Sequence, residues 1–533
     1  MPHSITGQCI QCSDCLPHCP QNAIQPVEDG YWIDPHRCND CVDQPHGPLC
    51  VSICPVDGPP VPLQAKKGRC KTPARSPASP ALFTNGQSHP FASAIPIWEL
   101  SNLLSQRADL PWTVDALGRL TYQRNLNQSQ GQLTFWVAED STTRTPKLLN
   151  EQAGRAVLQG FDLRATCLNL IFAAQAFTLE EPWQQEFTIN DQQIADYLDL
   201  GKRKDLNKLT KLLLIEDLVK QPCQLVAAIH WPAQGKIPAF DSEGDRLWHL
   251  VEMKRHFETD DLGCKHLVGL SFRVRAGAWA QHFLNRQACQ ARTAFYQYGS
   301  LPLSLLRTVM SIWQQHEGAT RLLLWLLFKA KMRGQQRLTA PTLMRLAYGE
   351  QRLHQASADR PTRKRLVRAF ESDLEVLSHY GIRPRFDPET YPAEIQPLWA
   401  KLADVPEDAE EAAAFWLEDG RGDRQLTAPS PRGKWERLLN ARLLGFELPP
   451  DWGAPPPAAA HPSKRQRRSR PHPRALSSEQ IVEARRALKI SQRQLAQVLG
   501  KSQSWVRDIE SGRLRLKHAD QALLFDILPS LKA

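Results

Sequence analysis

No apolar run in this chain of 533 residues is long enough to cross a bilayer; the longest is LLLWLLF, Leu322–Phe328. Met1–Gln8 has no apolar stretch of the kind a secretory leader needs, so a cytoplasmic location is expected and no membrane association. The motifs of several enzyme classes are missing: there is no P-loop, no HExxH and no nucleophile elbow. His, Asp and Glu are scattered, and no catalytic constellation forms; the chain reads as a non-enzyme. Residues 1–63 are also short of base. Seven acids (Asp14, Glu28, Asp29, Asp34, Asp40, Asp43 and Asp57) stand there against Arg37 alone.

What is present is unevenly placed. The chain carries a formal charge of +10, concentrated towards the end. Residues 476–533 hold ten Lys or Arg against six acids, and the basic run SKRQRRSRPHPR precedes them. An acidic head and a basic tail point to different partners, the tail to a polyanion. With 42% apolar residues and 15 tryptophans, wholesale disorder is excluded. The length suggests about three or four domains.

Of 13 cysteines, eight fall between Cys9 and Cys54. In a reducing compartment such a cluster holds metal rather than disulfides. Cys9, Cys12, Cys15 and Cys19-Pro20 follow C-x2-C-x2-C-x3-C-P, the bacterial ferredoxin run, and Cys38, Cys41, Cys50 and Cys54-Pro55 form a second set. The segment resembles two-[4Fe-4S] bacterial ferredoxins. In such runs the fourth cysteine serves the other cluster. The expected ligands are therefore Cys9, Cys12, Cys15 and Cys54 for one cluster, and Cys38, Cys41, Cys50 and Cys19 for the other. A pair of zinc knuckles is the alternative for four-thiolate sets. The insert VDQPHGPL between Cys41 and Cys50 departs from the short spacing. Cys70, Cys167, Cys223, Cys264 and Cys289 read as spare thiols.

Near the other end, LSSEQIVEARRALKISQRQLAQVLGKSQSWVRDIESG divides into three helices. Ser477 or Ser478, Ser491 and Ser502 are candidate caps. Ile481, Ala484 and Leu488 face the core from the first helix, Leu495, Ala496 and Leu499 from the second, and Val506 and Ile509 from the third. Ala519, Leu523, Leu524 and Ile527 mark a closing helix. The spacing is that of a helix-turn-helix, and the residues resemble the XRE/Cro-type repressors. The outward face of the third helix carries Gln503, Ser504, Arg507 and Asp508, which with the cap Ser502 are the DNA-binding candidates; Trp505 departs from the small polar residue common in the family, and either stacks on the sugar as a further DNA contact or packs against the first helix. The resemblance implies that Gln492 touches backbone phosphate. Arg467 and Arg468 in the linker are candidate phosphate contacts. A helical protein–protein module with the same core is the alternative.

The expected architecture is multidomain α+β. A ferredoxin-like domain spans 1–63 and a Pro/Ser-rich linker 64–95. A mixed α/β regulatory body spans 96–400. An acidic, then amphipathic, segment (401–448) and a Pro/Arg-rich linker (449–475) lead to the all-α domain at 476–533. The body reads either as one or two winged-helix units, with Lys202, Arg203, Lys204 and Lys208 facing DNA, or as an oligomerisation and relay body. A cluster head, long middle and XRE-type tail together resemble the cyanobacterial PatB/CnfR family of nitrogen-fixation and heterocyst regulators. That resemblance implies an oxygen-responsive activator with two [4Fe-4S] clusters acting on promoter DNA. It leaves RNA polymerase, a redox partner and a second copy of the chain as further partners. The rival is an electron-transfer or DNA-processing protein that uses its clusters as wires or as structure.

Overall fold

The computed structural model describes residues 2–35, 37–45, 47–56, 60–63, 78–126, 131–143, 145–329, 338–403, 405–406, 408–421, 431–453, 478–514, 520, 523–524 and 527. Two compact units divide the chain, Met1–Pro456 and Pro457–Ala533. The acidic head and the middle share the first unit.

The head is built from little regular structure. Strands His3–Ser4 and Val61–Pro62 pair at its two ends, and Ile24–Val27 with Gly30–Ile33 forms a hairpin. Its own core is small, with Ile5, Ala23, Ile24, Ile33 and Cys50 buried. Trp32 does not join that core. It is buried in the main core of the body, its ring 5.4 Å from Phe257 and with the Arg255 guanidinium 5.7 Å from its ring centre.

The expected linker at 64–95 is corrected in its second half. Residues 64–77 lie outside the described residues, but 78–95 belong to the body. Ser88–Ala92 pairs antiparallel with Tyr298–Pro302, and Leu82 and Phe91 are buried. The apolar residues among the prolines and serines decide the matter by burial.

The middle combines one five-stranded antiparallel sheet with two three-stranded sheets. The large sheet runs Phe240–Arg246, Leu225–Trp231, Gly131–Val137, Leu120–Leu126, Thr113–Val114. The two small sheets belong to a repeated pattern. In its first copy, helix α1 (Ala165–Phe177) leads to strand β1 (Glu186–Asn190), helices α2 (Asp191–Tyr197) and α3 (Lys208–Cys223), and the long hairpin of β2 (Trp248–Thr259) and β3 (Lys265–Ala276). α1 is buried along nearly its whole length because it is apolar on every face. The strand order is β2-β3-β1. In the second copy, α4 (Glu317–Lys329) leads to β4 (Leu338–Thr339), then α5 (Ala340–Tyr348), α6 (Glu350–Ala358), α7 (Arg360–His379), β5 (Arg383–Phe386) and β6 (Arg442–Glu447). The strand order is β4-β6-β5. In both sheets the last strand is central.

The local chemistry repeats too. Asn190 caps α2 and Thr339 caps α5, each at the end of the preceding strand. Asn207 opens α3 by accepting from the Thr210 amide at 2.8 Å, and Asp359 opens α7 by accepting from the Thr362 amide at 2.8 Å.

Two more expected boundaries move. The 401–448 segment is not separate from the body: β6 is the middle strand of its sheet, and Trp435, Leu438 and Leu443 are buried. Helix Ala409–Arg421 in the same stretch has no buried residue. Trp452 is buried in the main core, so the linker expected from 449 cannot start before 453. Arg467 and Arg468 lie outside the described residues.

The second unit contains α8 (Ser478–Ala487), α9 (Gln492–Leu499) and α10 (Gln503–Glu510). Ile481, Ala484, Leu495, Ala496, Leu499, Val506, Ile509 and Leu524 form its core. Leu488 is a correction: α8 ends at Ala487, and Leu488 is 46% exposed. Leu523, Leu524 and Ile527 are helical, whereas Ala519 lies outside the described residues.

Candidate metal centre and nucleic-acid interface

Two cavities lie among the loops of the head. One is lined by Cys9, Cys12, Cys15 and Cys54, with Ile5, Ile10 and Pro60 on its walls and about 380 Å³ of space free of protein atoms. The other is lined by Cys19, Cys38, Cys41 and Cys50, with Ile24, Ile33 and Pro48 and about 330 Å³. Each cavity is lined by one thiol from the other run, Cys54 in the first and Cys19 in the second. Cys50 also touches the first cavity.

Sharp backbone turns make this wrapping possible. Gln11, Ser13, Asn22, Asp40 and Cys41 all have positive φ, between 47° and 70°. Such conformations cost energy outside glycine and persist where the surroundings impose them. They also turn amides inward. The Gln11 amide donates to Cys9 Sγ at 3.4 Å, and the Ala23 amide to Cys19 Sγ at 3.3 Å.

The thiols oppose one another's ionisation. Burial, then the charge of Cys9, Cys12 and Cys54, raises the Cys15 thiol. Cys50 is pushed up to about 12 by burial first, then by Cys38, Cys41, Cys15 and Cys19. Four thiolates at close quarters require a cationic centre to share. Among the described residues, no three His, Cys, Asp or Glu side chains converge tightly enough for a single bare ion. The eight cysteines line the two cavities, and four thiolates are the donor set of a cubane iron–sulfur cluster.

The interface in the tail is built by its caps. Ser491 and Gln494 form a reciprocal capping box at the start of α9, and Gly500 closes it at φ 65°. Ser502 starts α10 by accepting from the Trp505 amide at 3.2 Å, and its hydroxyl lies 2.9 Å from that of Ser504. Gln503, Ser504 and Arg507 are exposed along α10. Asp508 lies beside Arg507 at 3.8 Å. Trp505 is half-buried against the helical core, with Lys501 Nζ 5.3 Å from its ring centre. Its role is packing as well as surface. Gln492 donates to Glu510 at 2.8 Å, and Glu510 also pairs with Arg485. The expected phosphate contact of Gln492 therefore competes with an internal bond.

Comparison with known proteins adds to both sites. Residues 481–522 match the helix-turn-helix family. The amino-terminal segment is 44% identical over 57 residues to Ferredoxin-2 of Chlorobaculum tepidum, covering 92% of that protein and 11% of this chain. Through this segment the chain belongs to the ferredoxin family. The ferredoxin segment is also 47% identical over 58 residues to a ferredoxin-like protein in nif region from Trichormus variabilis, covering 50% of that protein and 10% of this chain. No solved structure matches the chain. The chain thus joins a ferredoxin-like, iron–sulfur amino terminus to a helix-turn-helix DNA-binding segment. No described helix is long and apolar enough to cross a membrane.

Sequence reasoning missed how the ferredoxin segment is held. The Gly7 amide donates to the Leu262 carbonyl at 3.1 Å, Lys254 pairs with Glu28 at 3.0 Å, and Lys265 donates to the Asp29 carbonyl. These contacts put the head on the β2–β3 hairpin. The acidity of the segment was a signal for the Glu28–Lys254 pair alone, since Lys265 binds a backbone carbonyl.

Proposed function

We propose that this protein is an oxygen- or redox-responsive transcriptional activator of nitrogen-fixation genes, acting under low oxygen. It carries two [4Fe-4S] clusters, one on Cys9, Cys12, Cys15 and Cys54, the other on Cys19, Cys38, Cys41 and Cys50. The observation that carries this reading is the joining, in one chain, of two four-thiol cavities to a helix-turn-helix. A cluster of this type supplies one-electron redox chemistry and sensitivity to oxygen. The residues of the chain hold it, turn amides towards its ligands and shield it with Ile5, Ile10, Ile24 and Ile33. Similarity to a protein described as lying in a nif region supports the choice of target genes. Promoter DNA is the partner of α10, with Gln503 and Arg507 reading bases and Arg467 and Arg468 bound to phosphate. RNA polymerase, a redox partner and a second copy of the chain complete the set, in the cytoplasm. The repeated strand order of the body supports reading it as two winged-helix units. The role is that of a regulator rather than an enzyme.

Anaerobic purification tests this directly. About eight irons per chain are expected, and Cys12→Ser and Cys41→Ser should each lose roughly one cluster. Binding to nitrogenase-gene promoters, or activation from them, should differ before and after exposure to air. Zinc without iron after anaerobic reconstitution would overturn the cluster reading.

A further inference from the structure

The body carries a cationic face that neither the clusters nor the tail uses. Residues 360–370, RPTRKRLVRAF, hold five cations and no acid. They form the first half of α7. Arg363 is committed to the fold: it donates to the Ala356 and Ser357 carbonyls and lies 5.5 Å from the Trp435 ring centre. Arg360, Lys364 and Arg368 are different. They recur every four residues, so they form one stripe. All three are exposed, and none has a hydrogen-bond or ion-pair partner among the described residues. Arg365 is exposed beside them. Arg383 and Arg385, exposed on β5, add charge on the strand that follows.

This arrangement works against the helix. The amino-terminal end of a helix carries the positive pole of its dipole, where cations are unfavourable. Asp359 compensates only in part as the cap. Charge kept at an unfavourable place, and left without partners, suggests a ligand outside the chain.

The position within the repeat says which ligand. α7 follows β4, α5 and α6 as α3 follows β1 and α2, and both open with an Asx cap bonded to a threonine three residues on. Each is a long helix that follows a shorter one, α3 across residues 198–207 and α7 across Asp359 alone, and helix-turn-helix proteins address the major groove with the first residues of such a following helix. In the turn before α3, Lys202 is paired with Asp199 and Arg203 with Asp205, while Lys208 stands exposed at the start of α3 itself. In the second copy three cations, Arg360, Lys364 and Arg368, stand exposed on one stripe of the helix.

We propose that the amino-terminal half of α7, through Arg360, Lys364 and Arg368, is a second duplex-DNA-binding surface, separate from the helix-turn-helix tail. The inference rests on the winged-helix reading of the body but not on the base-reading role of α10. With two surfaces on one chain, the tail selects the sequence and α7 holds flanking phosphates.

The test uses full-length protein purified anaerobically and a fluorescent duplex of mixed sequence, titrated at several salt concentrations. The triple variant Arg360→Gln, Lys364→Gln, Arg368→Gln should flatten the slope of log affinity against log salt by about two to three, since each lost phosphate contact removes about 0.9. Lys147→Gln with Lys236→Gln, on exposed residues elsewhere, should leave the slope nearly unchanged. Arg360→Lys with Arg368→Lys should retain it. Melting temperature should stay level or rise in the triple variant, because cations leave the positive end of a helix. An unchanged slope overturns the proposal. So does a loss seen on single-stranded RNA but not on the duplex. A drop in melting temperature without a change of slope would assign the face to the exposed acidic helix Ala409–Arg421 of the same chain, and would also overturn it. Failure of the α10 reading has a different signature: Gln503→Ala and Arg507→Ala would leave base preference intact while the α7 effect persists.

Discussion

Gly263 sits at the turn between β2 and β3 with φ +77°, and a Cβ there would stand 2.4 Å from the Gly7 nitrogen and 2.5 Å from its Cα. Both objections to a side chain act together: the left-handed backbone and the backbone of the head. Gly263→Ala should therefore destabilise the docked state by about 1–3 kcal/mol. Hydrogen exchange should quicken at Gly7, whose amide is bonded to Leu262. Iron content should be retained, since Gly263 lines neither cavity. Unaltered exchange at Gly7 would mean that the head is held chiefly by Trp32. A glycine in a hairpin turn is readable from sequence, but its use as a docking point is not, because Gly7 meets it only through tertiary folding. The eight cysteines were readable because metal ligation ties chemistry to short spacings. Trp32 was not: nothing in YWI tells which of two cores a tryptophan enters.

Elements with strong local chemistry were the most legible. Ser491, a candidate cap in the sequence, forms a capping box with Gln494 in the structure, and Gly500 takes the left-handed turn that ends the helix. Leu488 misled because helical periodicity carries no stop signal; Lys489 ends the run with φ 51°. The three-stranded sheets were harder to see. β2 and β3 are separated from β1 by two helices and two strands of another sheet, and β6 is separated from β5 by 55 residues, 387 to 441. Within the tail, the exposed pair on α10 allows a sharp expectation. Gln503→Ala and Arg507→Ala should each cost about 1–3 kcal/mol against the preferred sequence and relax preference at neighbouring base pairs. Ser502→Ala should act through stability instead, costing about 0.5–2 kcal/mol by loss of the cap to Trp505. Titrations against matched and mismatched duplexes, with a melt of each variant, separate the two effects. If all three variants weaken every duplex alike, α10 is not the reading helix.

For the whole molecule, the proposed function asks how an iron–sulfur head would act on DNA bound by the tail. The ferredoxin segment buries only Ile5, Ala23, Ile24, Ile33 and Cys50 as its own core, so the proposed clusters would be its main source of order. Its outer side is fixed to the hairpin through Gly7, Glu28, Asp29 and Trp32. Loss of a cluster should thus unfold the segment and withdraw Trp32 from beside Phe257. To move the active population from 99:1 to 1:99, that event must supply about 5.5 kcal/mol between the two states. Collapse of a metal-folded segment is of sufficient scale, whereas a change of one electron on a cluster is a smaller perturbation. The combined replacement Cys9→Ser, Cys12→Ser, Cys15→Ser should abolish activation of a nitrogenase-promoter reporter at low oxygen. The same variant should keep base preference, because the tail has its own core around Leu495 and Val506. Hydrogen exchange should rise at the end of the hairpin, from Thr259 to Lys265, while the core strands of the large sheet stay protected. Full activation by this variant would show that the cluster held by these three cysteines is not the sensor, and would leave the cluster on Cys38, Cys41 and Cys50 to be tested in the same way.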